Sequence, residues 1–230
     1  MKVLFLILAS GGGSYPQFME QWKRYMNSNP SCECYFYRYS SVEELSGNTL
    51  FLKGTENMAN LYEKTLDALK FFEHRLDEFD FICRPNLSSF FILDRYLKFL
   101  EGLPKTMCIE GIIEKYQGKG VAFPSGCGFS FTPDIAKILL ERKDKQYIMD
   151  DVTFGKVCKE IGIQIYRDKS YPRRLDILKG SNYSKIIEQI RADPRIFHMR
   201  LKQTCSSNRS ADLTNYTALV DEFYGVPPST

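Results

Sequence analysis

Two adjacent acidic residues, Asp150 and Asp151, stand before Val152-Thr153-Phe154-Gly155, a segment predicted to open a helix that runs to about residue 161. Carboxylates at a helix N-terminus usually satisfy free backbone amides and the helix dipole. Two in a row can divide the work, so that one caps the helix while the other points into a cleft. Asp150 and Asp151 are therefore the first candidate functional residues.

A second candidate is the end of the apolar run at residues 79–83, which is typical of a buried strand. Arg84-Pro85-Asn86 follows it and is predicted to end the strand, because proline cannot donate to a sheet ladder. Ligands of open α/β sheets gather where strands end. Arg84 and Asn86 are therefore predicted to face a ligand.

Two further stretches could hold an anion. Ser10-Gly11-Gly12-Gly13-Ser14 follows the first predicted strand, where backbone amides can approach a nucleotide, but it is neither GxGxxG nor a P-loop, and a plain loop is the alternative. Residues 197–202 alternate apolar with basic or imidazole side chains, which places His198, Arg200 and Lys202 on one face of a strand. That face suits a diphosphate, and the alternative is a solvated edge strand.

Strand and helix patterns alternate along the chain. Strands are predicted at 2–9, 34–39, 49–53, 79–83, 163–166 and 197–202, and helices at 57–73, 89–100, 135–141, 150–161 and 213–223. The alternation predicts the α/β class. Since no repeat, low-complexity tract or linker divides the chain, residues 1–225 are predicted to form a single domain and 226–230 a frayed tail.

The composition excludes several classes of protein. The 230 residues are 43% hydrophobic and 26% charged with a net charge of +3, so there is no bulk attraction to nucleic acid or to a membrane surface. The apolar run at the N-terminus is far shorter than the ~20 residues of a membrane helix, which predicts a cytoplasmic protein without a membrane span. Seven scattered cysteines without a CxxC pair argue against a disulfide framework or a zinc site.

Three segments carry a family resemblance. The first segment contains Glu56-Asn57, Asn60-Leu61, Lys64-Thr65 and Ala68-Leu69 and is similar to the motif D-x-Y-x-N-L-x-x-K-T-x-x-A-L. The second segment, residues 125–134, is similar to G-x-G-Y-x-L-S. The third segment, residues 150–155, is similar to D/E-D-V-x-x-G. In this order they resemble the GT-A glycosyltransferases, especially the fringe and β-1,3-galactosyltransferase group, glycosyltransferase family 31. The resemblance implies a single GT-A, Rossmann-like domain with a mixed central sheet flanked by helices.

The family's metal site is altered in this chain. In the family an Asp-x-Asp after the donor-site strand holds a divalent metal against the nucleotide diphosphate, and Arg84-Pro85-Asn86 stands in its place here. Arginine cannot ligate a metal, and a lone asparagine is a poor ligand for Mn²⁺ or Mg²⁺, so binding of either ion is doubtful. Arg84 and Asn86 are instead predicted to contact the diphosphate. Asp80 and His198 are the weak remaining candidates for metal ligands.

The resemblance assigns the catalytic and acceptor roles. It makes Asp151 the general base of an inverting transfer and Asp150 a cap or a ligand of the acceptor. An inverting transfer needs a carboxylate that takes the proton of the attacking hydroxyl. The small residues Gly126 and Cys127 are implied to line the acceptor side.

The donor side is assigned in the same way. His198 is the plausible counterpart of a C-terminal histidine in the family, and Arg200 and Lys202 would help it to stabilise the departing diphosphate. Ser10 and Gly11 are predicted to contact the nucleotide.

These assignments together imply transfer of a sugar from a UDP- or GDP-sugar to a hydroxyl of a glycan or glycoprotein acceptor. A retaining transferase is one alternative. A catalytically inactive module that binds a nucleotide-sugar or a glycan is another, because loss of Asp-x-Asp is how such decay would look.

Overall fold

The computed structural model describes residues 1–116, 120–166, 174–178, 181–202 and 209–225, and the tail predicted at 226–230 lies outside this part of the chain. The strands are β1 (Val3–Leu8), β2 (Cys32–Ser40), β3 (Glu44–Ser46), β4 (Thr49–Lys53), β5 (Phe81–Pro85), β6 (Ser89–Phe91), β7 (Ile109–Tyr116), β8 (Val121–Phe131), β9 (Ile165–Tyr166), β10 (Arg174–Leu178) and β11 (His198–Lys202). The α-helices are α1 (Tyr15–Lys23), α2 (Leu61–Phe71), α3 (Leu93–Glu101), α4 (Pro133–Arg142), α5 (Asp150–Glu160), α6 (Tyr183–Ala192) and α7 (Ser210–Tyr224).

The described residues divide into two compact units. The first consists of Met1–Ser10, Ser31–Asn86 and the described residues between 103 and 166. Its sheet has the strand order β3-β4-β2-β1-β5-β8-β7-β9, in which β1, β2, β4 and β5 run parallel while β8 is antiparallel to β5 and to β7. With α2, α4 and α5 packed beside it, this sheet confirms the predicted α/β class with a mixed central sheet flanked by helices.

The core of the first unit follows from the apolar pattern of its strands and helices. β1 reads Val-Leu-Phe-Leu-Ile-Leu and is buried almost throughout, as a strand in the middle of a parallel sheet must be. Helix α2 contributes Ala68 and Leu69, and α5 contributes Phe154, to the same apolar cluster. The core thereby fixes α2 and α5 against the sheet, and these two helices carry the polar groups described below.

Gly155 allows α5 to lie directly on β8. A Cβ atom at this position would stand 2.4 Å from the carbonyl oxygen of Ala122 and 2.5 Å from Cβ of Phe123. We expect Gly155→Ala to lower the free energy of unfolding by about 1–3 kcal/mol, because the backbone must shift to admit the methyl group. Urea denaturation measures this. The control is Gly102→Ala, whose Cβ would meet nothing nearer than 3.5 Å, and it should change stability little. Equal stability of the two variants would contradict the close packing of α5 on β8.

The second unit consists of Gly11–Pro30, Leu87–Gly102 and the described residues from 174 to 225. Its three-stranded sheet has the order β10-β11-β6, and α1, α3, α6 and α7 belong to it. Aromatic side chains fill its core: the hydroxyl groups of Tyr25 and Tyr216 are 3.0 Å apart, and the Tyr216 hydroxyl donates to the carbonyl of Ser89 at 2.8 Å. That residues 1–225 form a single domain stays a prediction.

Among the described residues, none of the helices combines the length and the hydropathy that crossing a bilayer requires. The cytoplasmic location stays a prediction.

The strand predicted at 79–83 instead runs from Phe81 to Pro85, so the expectation that Arg84 and Pro85 lie beyond its end is wrong. The backbone N–H of Asn86 donates to the carbonyl of Cys127 on β8, which turns the nitrogen of Pro85 toward β1. The ladder between β5 and β1 breaks off at Cys83, and the two strands meet again in the same register at the bridge between Leu8 and Asn86. Proline therefore leaves the ladder with β8 intact and interrupts the one with β1.

The helix predicted at 89–100 begins only at Leu93. Ser89–Phe91 form β6, which pairs antiparallel with β11. The prediction failed because the partner strand lies more than a hundred residues further along the chain, where no local pattern reveals it.

Candidate active site

The carboxyl ends of β1 and β5 form the topological switch point of the first sheet, and we call this edge, at Ser10 and Asn86, the crevice. From β1 the chain proceeds to β2 and β4 on one side, and it later returns to β5 on the other side. Ligands of open α/β sheets bind at such a point. Ser10 follows β1, Asn86 follows β5, and Leu8 forms an isolated bridge with Asn86. The structure therefore places Ser10 and Asn86, two of the predicted site residues, after neighbouring strands at the same edge of the sheet, whereas Gly11 belongs to the second unit.

Arg84 lies inside the first unit beneath this strand end. Its side chain is buried, with only 1% of the residue exposed, and it pairs with the carboxylate of Asp150. A second guanidinium nitrogen, Nη1, donates to the carbonyl of Gly126 at 2.8 Å. Burial is the largest single influence and lowers the pKa of Arg84, but the charge of Asp150 and, after it, the interactions with Tyr37 and Asp151 together raise the pKa above its usual value. Arg84 is thus a permanent internal cation.

Asp150 and Asp151 open α5, as predicted, and their carboxylates do different things. Asp150 faces Arg84 instead of capping the helix, whose N-cap is Met149. The Oδ2 atom of Asp151 accepts the N–H of Gly126 at 3.0 Å, and Oδ1 accepts that of Val152 at 2.8 Å. Burial and the neighbouring charge of Asp150 together raise the pKa of Asp151.

Gly126 stands between these charged groups. A Cβ atom there would lie 3.0 Å from Oδ2 of Asp151 and 3.4 Å from Nη1 of Arg84, so glycine is what allows the acid and the cation to approach the same backbone segment. Cys127, the next residue, is buried, and its thiol lies 3.3 Å from the hydroxyl of Ser125. The structure thus joins Gly126 to the acidic pair and turns the Cys127 side chain inward; an acceptor role for either residue stays a prediction.

His198, Arg200 and Lys202 lie on β11 in the second unit, and the predicted strand is confirmed. The imidazole of His198 is buried and stacks on the ring of Phe91 with 4.3 Å between the ring centroids. Its Nε2 has no hydrogen-bond partner among the described residues. Burial first, and then the charges of Arg174 and Arg200, hold the pKa of His198 well below its usual value.

In this environment the His198 ring is neutral at neutral pH and brings no positive charge. Along the same strand exposure increases, from buried His198 to half-buried Arg200 and exposed Lys202. Binding of a diphosphate by these three residues stays a prediction.

Asp80 lies at the opposite end of β5 from Asn86. Its carboxylate accepts the backbone N–H of Lys2 at 2.7 Å, beside the first residues of β1. Six residues of extended chain span about 20 Å, so Asp80 is not part of the crevice. Within the described ranges, no group of three or more His, Cys, Asp or Glu side chains is arranged to hold a metal ion.

Sequence reasoning missed Lys64 and Glu56 as site residues. Lys64 on α2 is fully buried, and its ammonium donates to the carbonyl of Ala9 at 2.7 Å and to both carboxylate oxygens of Glu56 at 2.7 and 2.8 Å. Burial lowers the pKa of Lys64, and Glu56 opposes that change. The available signal was the helical spacing that places Lys64 on the same face of α2 as Leu61 and Ala68, because a lysine on a core face needs a buried partner.

Tyr37 lies between this lysine and the acidic pair, since the ammonium of Lys64 is 5.9 Å from the centroid of its ring. The hydroxyl groups of Thr65 and Tyr37 are 2.8 Å apart, and the phenol of Tyr37 lies close enough to Arg84 for the two side chains to interact. Burial raises the pKa of Tyr37, so its hydroxyl stays protonated. Buried side chains therefore extend from Lys64 past Tyr37 to Arg84 and Asp150 at the N-terminus of α5.

Comparison with solved structures places this fold among glycosyltransferases. Galactosyltransferase LgtC, solved in complex with donor and acceptor sugar analogues, matches with a TM-score of 0.50 and 12% identity over 99% of this chain and 98% of that chain. A glycosyltransferase involved in the glycosylation of the major capsid of PBCV-1 matches with a TM-score of 0.56 and 13% identity over 94% of this chain and 99% of that chain. The chain has the GT-A fold of these proteins.

An active-site variant of LgtC gives the same degree of similarity as the first structure, with a TM-score of 0.50 and 12% identity. No model of a protein family and no curated protein sequence matches the chain. The resemblance to the fringe and β-1,3-galactosyltransferase group therefore stays a prediction.

Proposed function

We propose that the protein is a glycosyltransferase that transfers a sugar from a nucleotide-sugar to a hydroxyl of a glycan or glycoprotein, with inversion. The main support is the Asp150–Asp151 pair, which opens a helix beside the end of β5 in a fold shared with glycosyltransferases. Family 31 is the group whose motifs the chain resembles. The donor is a UDP- or GDP-sugar in the crevice at Ser10 and Asn86.

Asp151 is proposed as the general base. Each of its two oxygens accepts one backbone N–H from the described residues, and since a carboxylate offers about four acceptor positions, about two remain for an incoming hydroxyl. The raised pKa also makes it a stronger base than an ordinary aspartate. The bond from the Gly126 N–H fixes its direction. Asp151 removes the acceptor proton as the acceptor oxygen attacks the anomeric carbon and the nucleoside diphosphate departs.

Asp150 and Arg84 are proposed to orient and balance this base. The guanidinium neutralises Asp150 and binds the carbonyl of Gly126, whose own N–H holds Asp151. A single negative charge is therefore left on the base. Asn86 contacts the diphosphate from the end of β5, and His198, Arg200 and Lys202 remain the proposed helpers of the leaving group.

The reaction is proposed not to require a metal, because the resemblance to family 31 puts Arg84 at the place of the acidic metal ligands. Isothermal titration with UDP-sugars and GDP-sugars in EDTA and in Mn²⁺ tests this. We expect the two dissociation constants for the preferred donor to agree within about threefold, since loss of a metal bridging the diphosphate costs several kcal/mol where one is used. Binding only in Mn²⁺ would overturn metal independence and leave the fold assignment unaffected.

An inactive binding module is the second candidate, favoured by the replacement of Asp-x-Asp and by the engagement of Asp150 with Arg84. Binding of a donor without transfer to any acceptor of a panel, and without slow donor hydrolysis, would support this candidate. For an active enzyme, the anomeric configuration of the product by NMR separates the inverting mechanism from a retaining one.

A further inference from the structure

The ion pair between Glu56 and Lys64 lies at the edge of the sheet where β1, β2, β4 and β5 end. Glu56 lies three residues after Lys53, the last residue of β4, and Lys64 reaches from α2 to the carbonyl of Ala9 after β1. Both the Glu56 carboxylate and this carbonyl lie within 2.8 Å of the same ammonium nitrogen. The carboxylate is therefore within about 5.5 Å of the backbone that borders the crevice.

The Glu56 carboxylate retains capacity to bind a ligand. Its Oε1 atom accepts from Lys64 and from the backbone N–H of Tyr39 at 2.9 Å, while Oε2 accepts from Lys64. Three of about four acceptor positions are filled by the described residues, and the remaining one belongs to Oε2. The side chain is 34% exposed, whereas that of Lys64 is fully buried.

The charge of the Glu56 carboxylate is balanced, which allows it to lie near a bound diphosphate. An unpaired carboxylate at this edge would repel the donor phosphates, but Lys64 supplies an opposite charge at hydrogen-bond distance. The lysine has no hydrogen left over, because its three donors go to Ala9 and to the two Glu56 oxygens. What the pair offers a ligand is thus a charge-balanced acceptor, and that matches a neutral hydroxyl group.

We infer that Glu56 accepts a hydrogen bond from a ribose hydroxyl of the donor nucleotide, with Lys64 as the positioning residue. The inference rests on the proposed function and adds a residue and a specificity to it. Acidic side chains near the ends of strands bind ribose hydroxyls in other open α/β sheets, where the diphosphate lies at the switch point. The expected consequence is selectivity for ribonucleotides.

Titration calorimetry with UDP and GDP and with their 2′-deoxy and 3′-deoxy forms tests the inference. The wild-type protein is expected to bind the ribose form about 10-fold or more tightly than at least one deoxy form, as for loss of a hydrogen bond to a charged group. Glu56→Gln should lower this ratio about fivefold, because its amide oxygen still accepts a hydrogen bond but without the charge that strengthens it, and the ribose form should weaken most. Glu44→Gln, at an exposed glutamate on β3, is the matched control and should keep the wild-type ratio.

The outcomes separate the two proposals. Failure of the wild-type protein to bind any nucleoside diphosphate would overturn the proposed function itself. Binding with equal affinity for the ribose and both deoxy forms would overturn only the ribose assignment, and this comparison needs no variant that might misfold. An equal loss of affinity for all forms in Glu56→Gln would likewise overturn it, because it would mean that the ion pair only holds the backbone in place.

Discussion

Replacing Asp151 by asparagine is expected to reduce the rate of sugar transfer by about 10²–10⁴-fold while leaving donor affinity within about twofold of wild type. The amide has nearly the shape of the carboxylate, and its single oxygen can keep one of the two hydrogen bonds from the N–H groups of Gly126 and Val152. It cannot take the proton of the acceptor hydroxyl. Initial rates at saturating donor, together with calorimetry of donor binding, measure the two effects separately.

The matched control is Asp77→Asn, because the side chain of Asp77 is 81% exposed and pairs only with Lys137 on the surface among the described residues. Its transfer rate should equal that of wild type. An Asp151→Asn variant with unchanged turnover would remove Asp151 from the role of base.

The pH profile gives a further check on Asp151. Burial and the charge of Asp150 raise its pKa above the ordinary value of 3.8, and a general base works only when deprotonated. The rate should therefore fall, as pH decreases, at a higher pH than for a free aspartate.

Replacing Arg84 by methionine is expected to lower the free energy of unfolding by about 3–5 kcal/mol, because it leaves the buried carboxylate of Asp150 without its partner. The double variant Arg84→Met with Asp150→Leu should recover most of this loss, since well-packed apolar side chains often replace a buried pair at little cost. Urea denaturation followed by circular dichroism measures both variants.

Lys137→Met provides the comparison for an exposed pair. It breaks the surface pair with Asp77, and such pairs contribute only about 0–1 kcal/mol. If Arg84→Met lowered the free energy of unfolding no more than Lys137→Met does, Arg84 would not be the cation that neutralises a buried Asp150. Transfer activity of the double variant then tests whether the pair matters beyond stability: we expect a loss, because Arg84 also holds the carbonyl of Gly126.

Local patterns predicted the parts of the fold that depend on neighbouring residues. The apolar run of β1, the stripe of α2 and the acidic start of α5 were all visible in short windows, and the structure contains these elements. The misplaced elements are those that depend on distant partners. Pro85 is tolerated in β5 because its nitrogen faces β1 and not β8, with which this part of β5 pairs. Ser89 belongs to a strand because β11 pairs with it.

The candidate site shows the same division. The α/β class with a mixed sheet, the fold that solved glycosyltransferases share, followed from the sequence. That the site lies at the end of β5 and uses the acidic pair stays a prediction. The sequence did not indicate that Arg84 pairs with Asp150, since 66 residues separate them and many carboxylates could compete for one guanidinium. Nor did it indicate that Lys64 binds Glu56 or that the Cys127 side chain turns inward.

The sequence by itself thus determined the strands β1, β2 and β4, the helices α2 and α5 and the acidic residues that open α5, because periodicity and local hydrogen-bonding preferences act over a few residues. It did not predict β7 and β8. Only the tertiary structure decided the partners of Arg84 and Lys64, and with them the charge left on Asp151 and the exposure of Glu56. Burying a charge is costly unless a partner stands within hydrogen-bond distance, and the packing of α2 and α5 on the sheet decides where that partner lies.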